Sequence, residues 1–425
     1  MKKGDWIYQQ YLNILHEELR PAMGCTEPIA LALIGAKARE LLGSLPERME
    51  LRVSGNIIKN VKSVIVPNTG GLHGMEAAVC VGIVAGDPEK EFQVISSVSE
   101  GQRQALKQYM QTVSLQITPS DSGLTFDIDL SVFHGDQQAR LRIVNHHTNL
   151  VYLEKNGQVL LNLPVAEASE DHLTDKSCLN LESIVDFVEH LDVEDVRRCV
   201  GEQIRCNMAI AREGLSGNWG ANIGKVILQR QGTLLCKQAA AYAAAGSDAR
   251  MSGCEMPVMI LSGSGNQGIT ASVPVAVYAE AMGAPEEDLL RAVTLSDLVT
   301  VHQKAGIGRL SAYCGAISAG CGAGAGIAYL QGGRAHAVAH VVVNAVAILS
   351  GTICDGAKPS CAAKIAAAVD AGILGCDMYW EHQQFYGGDG IITKGADKTV
   401  SNVGRLAREG MRETDRTILK IMLDE

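Results

Sequence analysis

Between residues 47 and 163 apolar and polar positions alternate, as in Met49-Glu50-Leu51-Arg52-Val53, Thr125-Phe126-Asp127-Ile128-Asp129-Leu130 and Ala139-Arg140-Leu141-Arg142-Ile143-Val144. A period of two sends alternate side chains to one face, so these segments predict strands with a buried side. Asn156-Gly157 stands between Leu150-Val151-Tyr152-Leu153-Glu154 and Val159-Leu160-Leu161, the signature of a tight hairpin. Helices are expected over about residues 8–18, 27–42 and 101–111.

Beyond about Leu181 the alternation fades. Runs such as Lys237-Gln238-Ala239-Ala240-Ala241-Tyr242-Ala243-Ala244-Ala245 and Ala362-Ala363-Lys364-Ile365-Ala366-Ala367-Ala368-Val369 are alanine-rich helix formers. Their small side chains let helices approach closely. The expected fold class is α+β, with a mixed α+β domain over residues 1–176 and an all-helical, Ala/Gly-rich domain over 177–425. The polar stretch 167–176 is the expected linker. Residues 335–353 are apolar enough to suggest a membrane span, but His336, His340 and Asn344 recur at i, i+4 and i+8. That stripe predicts a buried helix with satisfied core histidines.

At 425 residues the chain has ample core without disulfides, and its net charge of -10 comes from scattered Asp and Glu. Nucleic acid is disfavoured as a partner, because phosphate neutralisation needs clustered Lys and Arg. Met-Lys-Lys-Gly-Asp-Trp at the start is no secretory signal, so a cytoplasmic protein without a membrane partner is expected. In that reducing compartment its 12 cysteines are buried, reactive or metal-bound rather than paired.

Three of them stand out. Cys314 follows Ala312-Tyr313, and Cys354 and Cys361 bracket Asp355-Gly356-Ala357-Lys358-Pro359-Ser360. This arrangement suits three thiolates on one metal centre, and thiolates favour iron-sulfur clusters or zinc. An incomplete ligand set leaves a metal position open to substrate. By spacing alone Cys321 is a rival ligand, one helical face along from Cys314. No C-x-x-C pair occurs, which weakens a structural zinc site.

Cys25 lies in Arg20-Pro21-Ala22-Met23-Gly24-Cys25-Thr26-Glu27-Pro28, between a glycine turn and a helix start. Free N–H groups and the helix dipole there are expected to lower its thiol pKa. Cys25 is thus a candidate base, nucleophile or fourth cluster ligand; the plainer alternative is a half-buried cap-region thiol.

Leu261-Ser262-Gly263-Ser264-Gly265-Asn266-Gln267-Gly268 formally matches G-x-G-x-x-G. A dinucleotide fold also needs repeated strand-helix units, and here Pro274 is expected to interrupt the following helix. A better reading is a loop whose N–H groups, with Ser262, Gly263, Ser264 and Asn266, hold a small anion such as a carboxylate. Arg250, Lys304 and Arg309 are candidate anion contacts, and Asn68, Thr69 and His73 lie in a second Gly-rich loop that could face the same cleft.

Taken together, the Pro21–Pro28 segment, the Ser262–Gly268 loop and the Cys314, Cys354, Cys361 spacing resemble the L-cysteine desulfidases, relatives of the bacterial iron-sulfur L-serine dehydratases. The resemblance covers nearly the whole chain. It implies a [4Fe-4S] cluster held by Cys314, Cys354 and Cys361, no pyridoxal phosphate, and breakdown of L-cysteine to pyruvate, ammonia and sulfide. Cys25 would match the family's reactive cysteine, and a small amino acid would be the partner, with a homodimer as the candidate assembly. Serine dehydratases space their last ligands differently and commonly carry a cysteine in a carboxy-terminal tail. Here the sequence ends Lys420-Ile421-Met422-Leu423-Asp424-Glu425, which favours the desulfidase. An L-serine dehydratase and a non-catalytic iron-sulfur sensor are the alternatives.

Overall fold

The structure, a computed structural model, describes residues 1–165, 174–308 and 311–423. The fold is α+β, as expected. The first part of the chain runs α1 (Trp6–Glu18), β1 (Arg20–Met23), α2 (Thr26–Leu42), β2 (Arg48–Val53), α3 (Gly55–Val61), α4 (Gly74–Ala85) and α5 (Glu100–Thr112). Strands β3 (Ser114–Pro119), β4 (Asp127–His134), β5 (Gln137–Val144), β6 (Leu150–Lys155) and β7 (Gln158–Asn162) follow.

These make a six-stranded sheet in the order β3-β2-β4-β5-β6-β7, parallel only between β2 and β3. The alternation seen in sequence becomes its inner face: Met49, Leu51, Val53, Ile128, Leu130, Val132, Leu141 and Ile143 are buried in one core with α2, which lies on the sheet, and α4, which packs on α2. On the other face Arg142 forks onto Asp127 at 2.8 and 2.9 Å, and Arg140 onto Asp129 at 3.0 and 2.7 Å. Asn156 and Gly157 both take positive φ, as a two-residue hairpin turn requires.

The remainder is helical: α6 (Leu181–His190), α7 (Glu194–Ser216), α8 (Ile223–Gln231), α9 (Leu235–Met251), α10 (Gly265–Met282), α11 (Glu286–Ile307) and α12 (Gly315–Leu330). Then come α13 (Ala335–Leu349), α14 (Cys361–Trp380), α15 (Ala396–Arg405) and α16 (Arg412–Leu423), with a single short strand, β8 (Pro257–Ile260), between α9 and α10. Helices α12 and α14 meet backbone to backbone. A Cβ on Gly320 would stand 2.3 Å from the Ala368 carbonyl oxygen, and one on Gly372 2.1 Å from that of Gly320. Only glycine allows this approach, and it fixes the relative position of the two helix starts.

Two expectations change, and a third is not tested. The linker stretch falls largely outside the described residues. Helix α10 runs through Pro274 without stopping; the one hydrogen bond lost there is outweighed by packing on all sides. His336 and His340 are not core residues: His336 is exposed, and their Nε2 atoms lie 3.2 Å apart at the edge of α13. Only Asn344 of that stripe is fully buried, donating to the Gly375 carbonyl and accepting from the Phe385 amide. Among the described residues no helix is long and apolar enough to cross a membrane.

Candidate functional site

Strand β1 leads directly into Cys25 and strand β8 into the Ser262 loop, and the two strands pair antiparallel from Arg20 opposite Ile260 to Met23 opposite Pro257. This small ribbon ties the start of the chain to the helical part. Two further contacts lock it: Arg250 Nε donates to the Gly24 carbonyl at 3.1 Å, and the single Thr26 hydroxyl proton is shared between the Gly263 carbonyl and Glu27 Oε2, each 3.0 Å from Oγ1. Because β8 pairs with an antiparallel strand and, among the described residues, no parallel sheet surrounds it, the glycine loop is not part of a dinucleotide fold.

A cavity of about 920 Å³ opens at this junction. Its wall brings together Cys25, Arg250, Ser262, Gly263, Ser264, Asn266, Lys304, Cys314, Cys354 and Cys361. Local structure explains how the last three meet. Tyr313 bridges Ile353, so the residues just before Cys314 and Cys354 lie side by side. The Cys314 amide donates to the Thr352 carbonyl at 3.0 Å and the Cys354 amide to the Ala312 carbonyl at 2.6 Å. Cys314 caps α12 and Cys361 opens α14, whose close approach holds them together. Gly356, between Cys354 and Cys361, has φ +99° and stands so near α3 that a Cβ would lie 2.2 Å from the Lys59 carbonyl oxygen.

The sulfurs sense one another. Burial, then the neighbouring Cys354, pushes the Cys314 thiol up to about 12, and burial with Cys354 also raises Cys361. Cys361 packs beside Cys25 in a small cluster with Val64 and Met251. All are free thiols. Lys358 and Lys364 flank them; against the opposing effect of burial they hold the Asp355 carboxyl down at about 2. Lys364 Nζ also donates to the Ile353 carbonyl at 2.8 Å.

Among the described residues no three His, Cys, Asp or Glu side chains are set to hold a single metal ion. A cluster makes a different demand, since each thiolate binds its own iron and the sulfurs stand further apart than ligands of one ion. Cys321 is excluded as a partner: it is buried inside α12 and absent from the cavity wall.

Cys25 caps α2 as anticipated, but its expected low pKa is overturned. Full burial pushes the thiol up to about 12, with Arg250 opposing and Glu27 reinforcing. The helix dipole is visible in sequence; the covering by distant residues such as Met251 is not, and desolvation outweighs the dipole here. Asn68, Thr69 and His73 are also corrected, since they lie off the cavity wall. Asn68 donates to the Ile95 carbonyl, Thr69 closes its own loop, and His73 is exposed. Their loop serves to shape the turn before α4 rather than to face the cleft. Arg309 lies outside the described residues.

The cavity also contains residues the sequence did not single out. Glu27, Asn56, Lys59 and Asn60 reach it from α2 and α3, and Gln267 from α10. Glu27 is buried and accepts hydrogen bonds from Asn60 Nδ2 at 3.1 Å, Thr26 Oγ1 at 3.0 Å and the Cys25 thiol at 3.8 Å. Its position two residues after Cys25 was the only available signal.

Residues 89–420 match the family described as "Serine dehydratase alpha chain". A UPF0597 protein of Desulfitobacterium hafniense is 54% identical over all of this chain and 99% of its own length. UPF0597 proteins of Lachnoclostridium phytofermentans and Treponema denticola are 44% and 41% identical, over 98% of this chain and 100% and 98% of their own. On this evidence the chain belongs to the serine dehydratase alpha chain family.

Proposed function

We propose that this protein is a [4Fe-4S]-dependent lyase, without pyridoxal phosphate, that converts L-cysteine to pyruvate, ammonia and hydrogen sulfide by α,β-elimination. The observation that carries this reading is the meeting of Cys314, Cys354, Cys361 and Cys25 in one cavity with the Ser262 loop and Arg250. The donor set fits a cluster: three free, mutually interacting thiols, two of them at helix starts, with Lys358 and Lys364 nearby to favour the thiolate form. Cys314, Cys354 and Cys361 would hold it. When bound, the cluster supplies a Lewis-acidic iron that draws charge from the substrate's carboxylate and β-sulfur.

The protein supplies the rest. Ser264 caps α10, and the N–H groups at that helix start, with Ser262, Gly263 and Asn266, meet a carboxylate. Arg250 and Lys304 add positive charge to that side of the cavity. Cys25 is the base at Cα. With its thiol up at about 12 even though Arg250 opposes the effect of burial, that role requires further positive charge in the cavity to lower it. Loss of the Cα proton and of the β-sulfur as sulfide leaves an enamine. Its tautomer, an imine, takes up water to give pyruvate and ammonia.

A second reading is L-serine dehydratase with the same cluster, favoured by the family's description. Anaerobic protein given each amino acid separates them. Sulfide with pyruvate from L-cysteine supports the first, and pyruvate from L-serine alone supports the second. A spectral change without product would instead mark a sensor. Full turnover by Cys25→Ala would remove Cys25 as the base.

A further inference from the structure

The cavity wall holds two buried charged groups that are bonded only to neutral partners. Arg250 is 2% exposed, and its Nε and Nη1 donate to the Gly24 carbonyl and to Asn266 Oδ1. Glu27 is 8% exposed, and its oxygens accept from Asn60, Thr26 and Cys25. Among the described residues neither forms an ion pair. Lys59, the buried cation on the neighbouring helix, is turned to Asp415 at 2.5 Å. Both Glu27 and Arg250 act on the Cys25 thiol, so both lie close to it.

A buried charge without a counter-charge is costly, and the cost is relieved by a ligand that brings the missing sign. We infer that Glu27 is the subsite for the α-ammonium group of a zwitterionic amino acid whose carboxylate lies toward Arg250 and the α10 start. An ammonium has three donors, and Glu27 Oε1, which accepts only from Asn60, keeps a lone pair for one of them. Asn60 and Thr26 hold the carboxylate in one orientation before ligand arrives, which favours a fixed ligand pose. This assignment rests on the cavity being the amino-acid site named above, and it specifies which wall reads the amine.

The test uses inert probes that differ only in the amine, L-alanine and propionate, with binding measured by calorimetry on the anaerobic holoprotein. Wild type should prefer L-alanine. Glu27→Gln should lose at least about tenfold of that preference, with propionate binding as tightly or more tightly. Glu27→Asp, which keeps the charge, should restore part of it and guards against a variant that merely misfolds. A preference unchanged in Glu27→Gln overturns the inference, and so does a variant whose only change is faster alkylation of Cys25. Turnover is not needed for this readout. Glu27-dependent preference with no sulfide or pyruvate formed would leave the subsite standing while the lyase reading fails.

Discussion

The central sheet and the α12–α14 helix pair are packed by opposite means. The sheet buries a continuous aliphatic face, from Met49 and Leu51 through Leu130 to Ile143, and keeps its charges on the other side in arginine-carboxylate forks. The helix pair has little side chain between its backbones, and the helical core around it contains Gln203, Asn207, Asp297, Gln303 and Asn344, all buried. Aliphatic packing tolerates small shifts. Backbone contact does not, and here it fixes the positions of Cys314 and Cys361. The sheet therefore supplies stability, and the helix pair supplies geometry.

Four experiments break or sharpen that contrast. The largest effect is expected for Cys354→Ser, which should abolish iron retention and product formation while the sheet stays folded, as checked by iron analysis and circular dichroism. Leu130→Ala should cost about 2–5 kcal/mol in urea unfolding, yet leave the iron content of the folded fraction unchanged. Gly372→Ala should cost less, about 1–3 kcal/mol, and still lower iron content, because the new Cβ meets the Gly320 carbonyl at 2.1 Å. If Leu130→Ala loses iron and Gly372→Ala keeps it, the contrast is wrong.

The effect that is smallest near pH 4 and grows with pH concerns Asp297. Burial raises its carboxyl from 3.8 to about 8, against the opposing hydrogen bond from Gln203 Nε2 at 2.8 Å. Among the described residues Asp297 Oδ2 and Gln203 Oε1 have no hydrogen-bond partner, and a proton on Asp297 removes the charge that burial penalises. A raised acid favours folding most below its unfolded value and loses that advantage as pH climbs through the folded one. Wild-type stability should therefore decline between about pH 4 and 8, by up to about 1.4 kcal/mol per unit. Asp297→Asn should flatten that slope, as urea midpoints across the range would show.

Much of this was legible in sequence where a local rule governs the outcome. Period-two alternation placed β2, β4 and β5, Asn-Gly placed the hairpin, and alanine runs placed α9 and α14. The cysteine spacing picked out residues that do share a cavity wall. What stayed hidden depends on distant segments. The β1–β8 ribbon joins four-residue strands more than 230 positions apart, each with a proline, and neither shows alternation. Cys25's high pKa comes from coverage by other parts of the chain, and Lys59, Asn60 and Glu27 became cavity residues only when α2 and α3 folded against the helical part.

The most direct measurement is the iron and acid-labile sulfide content of anaerobically prepared protein, taken beside a variant lacking Cys314, Cys354 and Cys361. The expected result is about four of each per wild-type chain and background in the variant. Wild-type chains that never take up iron, or a variant that retains it, would contradict a cluster built on these three sulfurs.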